Sequence, residues 1–179
     1  MRRGGNTVRR ILKTYRRLIS SQDGATAVEF ALIAPAFLAL LLAIFEVSLV
    51  LLMQQTLQTA TTKAGRLILT GQAQSQNTTA AQFKQLVCTD ATSLFNCANL
   101  YVNVQTFSSF SSVSMLNPVL NGTFNAGSMS YSLGSPGSIE VVQVFYEWPV
   151  YLGPLGFNLS NMNGNIHLLV ATAAFRNEP

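Results

Sequence analysis

The sequence predicts an α+β chain in which a long N-terminal helix, transmembrane in its first half, packs on a small antiparallel sheet. Three observations predict it. Residues 25–53 form an apolar run whose only ionisable members are Glu29 and Glu46. Beyond that run, Leu57, Ala60, Ala64, Leu67 and Ile68 continue at helical spacing. Three later runs, at 100–107, 139–148 and 166–176, alternate with the period of two that a strand requires.

Of the 179 residues, 49% are hydrophobic and 10% charged, a balance that excludes a disordered tail. The formal charge of +4 and the pI near 9.4 raise nucleic acid as a partner until the charges are located. Seven of the eleven Lys and Arg fall in the first seventeen residues. Seven cations less Asp23 give residues 1–24 a net +6, which leaves −2 for residues 25–179. The basic end therefore reads as a cytoplasmic leader and sets topology, and no nucleic-acid partner is expected.

At 1.5 Å per residue, residues 30–53 reach about 36 Å, enough for a hydrocarbon core of about 30 Å with some tilt. The cations before this run orient it with the N-terminus in the cytoplasm and the C-terminus outside. A cleaved secretory signal is the rival reading. The run exceeds an h-region of roughly 7–15 residues, and amphipathic helix follows where a cleavage site with breakers belongs.

The junction reads Asp23-Gly24-Ala25-Thr26-Ala27-Val28-Glu29-Phe30. A Gly at the boundary, followed by a Glu at the fifth position of an apolar helix, resembles the processing site of type IV pilins and pseudopilins. Within that group, residues 24–35 and the Ile44-Phe45-Glu46 step are similar to TadE-like proteins of tight-adherence (Tad/Flp) pilus systems. The resemblance is strongest over residues 20–66 and extends, more weakly, over residues 139–179. It implies cleavage between Gly24 and Ala25 by a prepilin peptidase. It also implies that Glu29 serves in peptidase recognition and docks on the new α-amino group of a neighbouring subunit. A carboxylate at membrane depth costs on the order of 2.5–3.5 kcal/mol near the bilayer centre, so Glu29 and Glu46 both call for a partner. Seventeen residues separate them, roughly 26 Å of helix, and they point in different directions. Glu46 is thus expected to find its own partner or to snorkel to the outer interface. Pro35 removes one helical hydrogen bond and is expected to kink or loosen the span.

The helix is expected to run from Ala25 to about Thr70 and to stop at Gly71, with residues 54–71 as a stem beyond the membrane. Gln54, Gln55, Gln58, Thr61, Thr62 and Lys63 fill the face away from its apolar stripe. Residues 72–179 then form one extracytoplasmic head, which completes a pilin-like architecture. Thr78 or Thr79 caps a short helix through Val87, with Phe83, Leu86 and Val87 inward. The strands place Val102, Val104 and Thr106 on one face, then Val142, Val144, Tyr146 and Trp148, then His167, Leu169, Ala171, Ala173 and Phe175. Met129, Tyr131 and Leu133 also alternate and suggest a further strand. Residues 108–138 hold no charge and 18 Ser, Thr, Asn or Gly, and read as a long loop with at most short strands, on the outside of the head and with little buried apolar area.

Cys88 and Cys97, the only cysteines, lie on the oxidising side in this topology. A disulfide is the first reading and two buried thiols the alternative. One His and no further Cys leave no tetrahedral metal set, and His167 reads as a strand residue with a satisfied ring. No phosphate loop or nucleophile–His–acid set is apparent, so neither an enzyme nor a cofactor is expected. The expected protein is a minor pilin or pseudopilin-like subunit of the bacterial inner membrane or of the pilus. It would be single-pass, with a periplasmic or extracytoplasmic head, and its partners would be the membrane, other pilin-like subunits, the assembly platform and the peptidase. The alternative is an uncleaved single-pass scaffold or a tethered binding module of the cell envelope.

Overall fold

The computed structural model describes residues 24–91, 95–153 and 156–178. The basic leader expected over residues 1–24 lies outside them, apart from Gly24. Helix α1 (Ala25–Leu69) is continuous for 45 residues and contains Pro35. It stops where the glycine predicts. The amides of Thr70 and Gly71 donate back to the carbonyls of Arg66 and Ile68, and Gly71 adopts a φ of 74°. That left-handed conformation closes the last turn and is cheap only for a residue without Cβ.

The chain divides into two units, residues 1–44 and 45–179. In the described part of the first, Phe30, Leu32, Ile33, Phe37, Leu38, Leu40 and Ile44 are all exposed. In the second, Glu46, Val50, Met53, Leu57, Ala60, Thr61, Ala64, Gly65 and Ile68 recur every three or four residues as a buried stripe. Packing against the rest of the second unit therefore begins at Glu46, seven residues before the expected end of the apolar run at Met53.

After α2 (Gln72–Ser75), helix α3 (Ala80–Asp90) starts on Thr79, whose side chain and Gln82 form a reciprocal capping box. Phe83 and Val87 are buried as expected, whereas Leu86 is 40% exposed. The i, i+4 pair of Phe83 and Val87 occupies the narrow inward stripe, and Leu86 falls to its side.

Strands β1 (Leu100–Phe107), β4 (Ile139–Pro149) and β5 (Ile166–Arg176) form one antiparallel sheet in the order β1-β4-β5. The α+β expectation is met. Val104 lies opposite Val142, and Val144 opposite Ala171. One face of the sheet presents Leu100, Val104, Val142, Val144, Tyr146, Leu169 and Ala171 to a core shared with Leu57, Ile68, Phe83 and Val87. The other face is covered as well. Phe145, Met162 and Leu168 are buried there with Leu116, Val119, Phe124 and Met129 packed on them.

Residues 108–138 form a loop with only short strands, as expected, but that second layer corrects the expectation that they bury little apolar area. Few as they are, their apolar side chains are spaced to fall on the sheet, helped by a hairpin of β2 (Val119–Leu120) and β3 (Thr123–Phe124). Asn121 and Gly122, with φ of 51° and 75°, make the turn that such a two-residue hairpin needs. The buried Gln143 pins the segment, accepting from the Leu116 amide and donating to the Leu116 carbonyl. No strand forms around Tyr131. Instead the amide of Val104 donates to Ser130 and its carbonyl accepts from Ser132, a single parallel bridge on the outer edge of β1.

The opposite edge of the sheet is closed by side chains. Gln54 Nε2 donates to the Val170 carbonyl at 2.7 Å and Gln58 Nε2 to that of Thr172 at 3.0 Å. Gln58 Oε1 accepts from the Thr172 amide, and Asn161 exchanges a similar pair of bonds with Leu168. The spacings agree: four helical residues rise about 6 Å and two strand residues about 6.6 Å. Gln54 and Gln58 are therefore docked on β5, not spread over a free polar face.

Candidate functional site: the apolar helix and the carboxylates

Gly24 precedes the first turn of α1, and a Cβ placed on it would meet nothing within 4 Å. Gly24, Ala25 and Glu29 are all exposed. The Gly-Ala step thus stands exposed at the start of the helix, and the next helical turn presents an exposed carboxylate. Among the described residues, α1 is the one helix long and apolar enough to cross a membrane.

Glu46 is placed differently. It is 5% exposed, and its Oε1 accepts from the backbone amides of Tyr151 at 2.6 Å and Leu152 at 3.2 Å. Oε2 is buried without a hydrogen-bond partner among the described residues. Glu46 was expected to find its own partner or to snorkel to the outer interface, and the structure gives it two backbone partners within the chain. The carboxylate joins α1 to the loop after β4, satisfying two donors in a turn that no strand partner serves. No sequence pattern marks those amides, because any residue except proline supplies one.

Glu140 was missed. It is fully buried, with hydroxyls of Ser138 and Thr106 donating at 3.0 and 3.1 Å. Burial raises its pKa above the ordinary 4.5, against the lowering effect of Ser138, Thr106 and the Gly134 amide. A Cβ on Gly134 would stand 1.8 Å from Glu140 Oε1, so the glycine is required for that close approach. The signal was available: Glu140 shares the parity of Val142, Val144 and Tyr146. Burial likewise pushes the Tyr131 hydroxyl up to about 12.

Cys88 and Cys97 form a disulfide, tying the end of α3 to the turn before β1. His167 stands in β5 with Nδ1 against the Leu159 carbonyl. Among the described residues no group of three or more His, Cys, Asp or Glu is arranged to hold a metal ion. A groove of about 470 Å³ along β1, lined by residues such as Gln105, Thr106, Ser114 and Asn117, contains no titratable side chain.

Residues 24–66 match the family model described as TadE-like protein. The matched range begins at Gly24 and covers most of α1; the strands at residues 139–179, for which a weaker resemblance was expected, lie outside it. No curated protein and no solved structure matches the chain.

Proposed function

We propose that this chain, TadE-like over residues 24–66, is a single-pass minor pilin or pseudopilin-like subunit of a tight-adherence pilus system. Its N-terminus is cytoplasmic, and a prepilin peptidase cuts between Gly24 and Ala25. The head lies outside the inner membrane, and assembly rather than substrate chemistry is its work. The family match over the helix carries this reading. It is supported by a helix whose apolar side chains stay uncovered through residues 28–45, as lateral packing with lipid or with like subunits requires.

In this reading Glu29 pairs with the α-amino group of a neighbour's Ala25 in the low-dielectric bundle. Such a pair fixes register more than it adds stability, because desolvation offsets most of the attraction. Mass spectrometry of the protein from cells that contain the peptidase tests the cleavage: a chain starting at Ala25 is expected, and an intact Met1 overturns the pilin reading in favour of an uncut scaffold. Glu29→Ala is expected to insert normally, since it removes a costly charge, but to be depleted from pilus fractions. Undiminished co-purification with pilus components removes the docking role.

A further inference from the structure

Glu46 marks a boundary that the apolar run itself does not. Before it, α1 exposes Phe37, Leu38, Leu40, Leu41, Leu42, Ile44 and Phe45; from it onward the helix carries a buried stripe. At this same turn Glu46 Oε1 holds the amides of Tyr151 and Leu152. The loop so held is anchored again where the Val150 amide donates to the Asn165 carbonyl. It presents Tyr151 at 70% exposure and Phe157 at 38%.

We propose that Tyr151 and Phe157 lie in the outer headgroup layer of a lipid bilayer, as aromatic anchors that fix the depth of the chain with the hydrocarbon ending at Glu46. The proposal rests on the membrane span in the reading above and adds where that span ends and what else touches lipid. Three observations favour lipid as the occupant. Residues 25–45 number 21 and reach about 31 Å, the thickness of the hydrocarbon core, whereas an end at Met53 would leave roughly 12 Å of helix beyond it. No Asp, Glu, Lys or Arg occurs between Glu147 and Arg176, and Glu147 accepts from the Tyr101 hydroxyl. Charge gathers at the other end of the sheet instead: Ile139 pairs with Arg176, Glu140 follows, and Glu178 donates its amide to Leu69. Tyr and Trp favour the interface, where the ring meets acyl chains and the polar edge meets water. The exposed Leu51 and Leu52, about 8 Å past Glu46, fall at the outer edge of that layer.

Depth-dependent quenching tests this in the full chain, reconstituted at one copy per nanodisc so that no second copy covers the loop. Trp148, the single tryptophan, is replaced by Phe, and one Trp is placed at Leu38, Tyr151, Phe157 or Phe110 in turn. Tyr151→Trp changes a side chain that packs on little, and Phe157→Trp provides a second, independent reporter. The expected result with bromine-labelled lipid is loss of emission at Leu38→Trp, Tyr151→Trp and Phe157→Trp, and unchanged emission at Phe110→Trp. Quenching at Leu38→Trp without quenching at Tyr151→Trp and Phe157→Trp overturns the proposal and leaves the span intact. Absence of quenching at Leu38→Trp overturns the span and the proposal together. Loss of emission at Phe110→Trp equal to that at Tyr151→Trp also overturns it, since lipid would then touch both ends of the head.

Discussion

Both halves of α1 carry Leu, Ala and Val, the first more densely than the second, yet residues 28–45 leave nearly every apolar side chain uncovered while residues 46–68 bury theirs every third or fourth position. Hydrophobicity alone therefore does not say what a helix is packed against. What differs is the remainder of the composition. Up to Phe45 the helix face carries almost nothing polar, so every direction is suited to an apolar environment. From Glu46 on, Gln54, Gln58 and Thr61 interrupt the apolar residues, and each has its hydrogen bond: two to the edge of β5 and one to the carbonyl of Leu57.

The sharpest break in that comparison is a matched pair of truncations. Leu57→Ala opens a cavity in a fully buried site and is expected to cost about 2–5 kcal/mol. Leu41→Ala, on an exposed position, should change the stability of the head by no more than about 0.5 kcal/mol. Urea unfolding of the full chain in detergent, followed by Trp148 emission, checks both; equal losses would mean that the halves are not differently packed.

A smaller effect is expected at the turn where the halves meet. Glu46→Ala leaves the amides of Tyr151 and Leu152 without their acceptor, a loss of about 1–3 kcal/mol. Hydrogen exchange should then quicken at those two amides, while Glu46→Gln, which keeps the accepting oxygen, should hold them protected. Unchanged exchange in the alanine variant would show that the carboxylate is not what fixes the loop.

The smallest effect is a pH slope belonging to the packed unit alone. The folded chain holds the proton of Glu140 more tightly than the unfolded chain does. Its contribution to stability is therefore most favourable below the ordinary pKa of 4.5 and is lost as pH rises from there through the raised folded value. Glu140→Gln can still accept from Ser138 and the Gly134 amide and donate to Thr106, so it should be as stable as the parent at neutral pH or more so. It should also flatten the fall in stability across that window. A slope as steep as the parent's would assign the titration to another group.

Much of the fold could be read in advance because it is local. The helix that stops at Gly71, the cap at Thr79 and the three alternating strands depend on residues near one another in the chain. The Glu five residues after Gly24 is equally local, and the family match falls on that stretch. Leu86 was misjudged because its neighbours decide which side of a narrow stripe faces in. The packing of residues 108–138 on the sheet is not legible in composition, which counts polar residues and ignores where the few apolar ones land.

By itself, then, the sequence determined the long helix, the capped helix, the three main strands and their order, the apolar run and the pairable cysteines, since propensity, periodicity and charge act over a few residues. The tertiary structure decided which half of α1 is covered, that Gln54 and Gln58 close the edge of β5, and that Glu46 holds Tyr151 and Leu152. Those hydrogen bonds join positions more than a hundred residues apart, and the far partner in each is a backbone group of a kind that nearly every residue carries. Only the folded path of the chain selects among them.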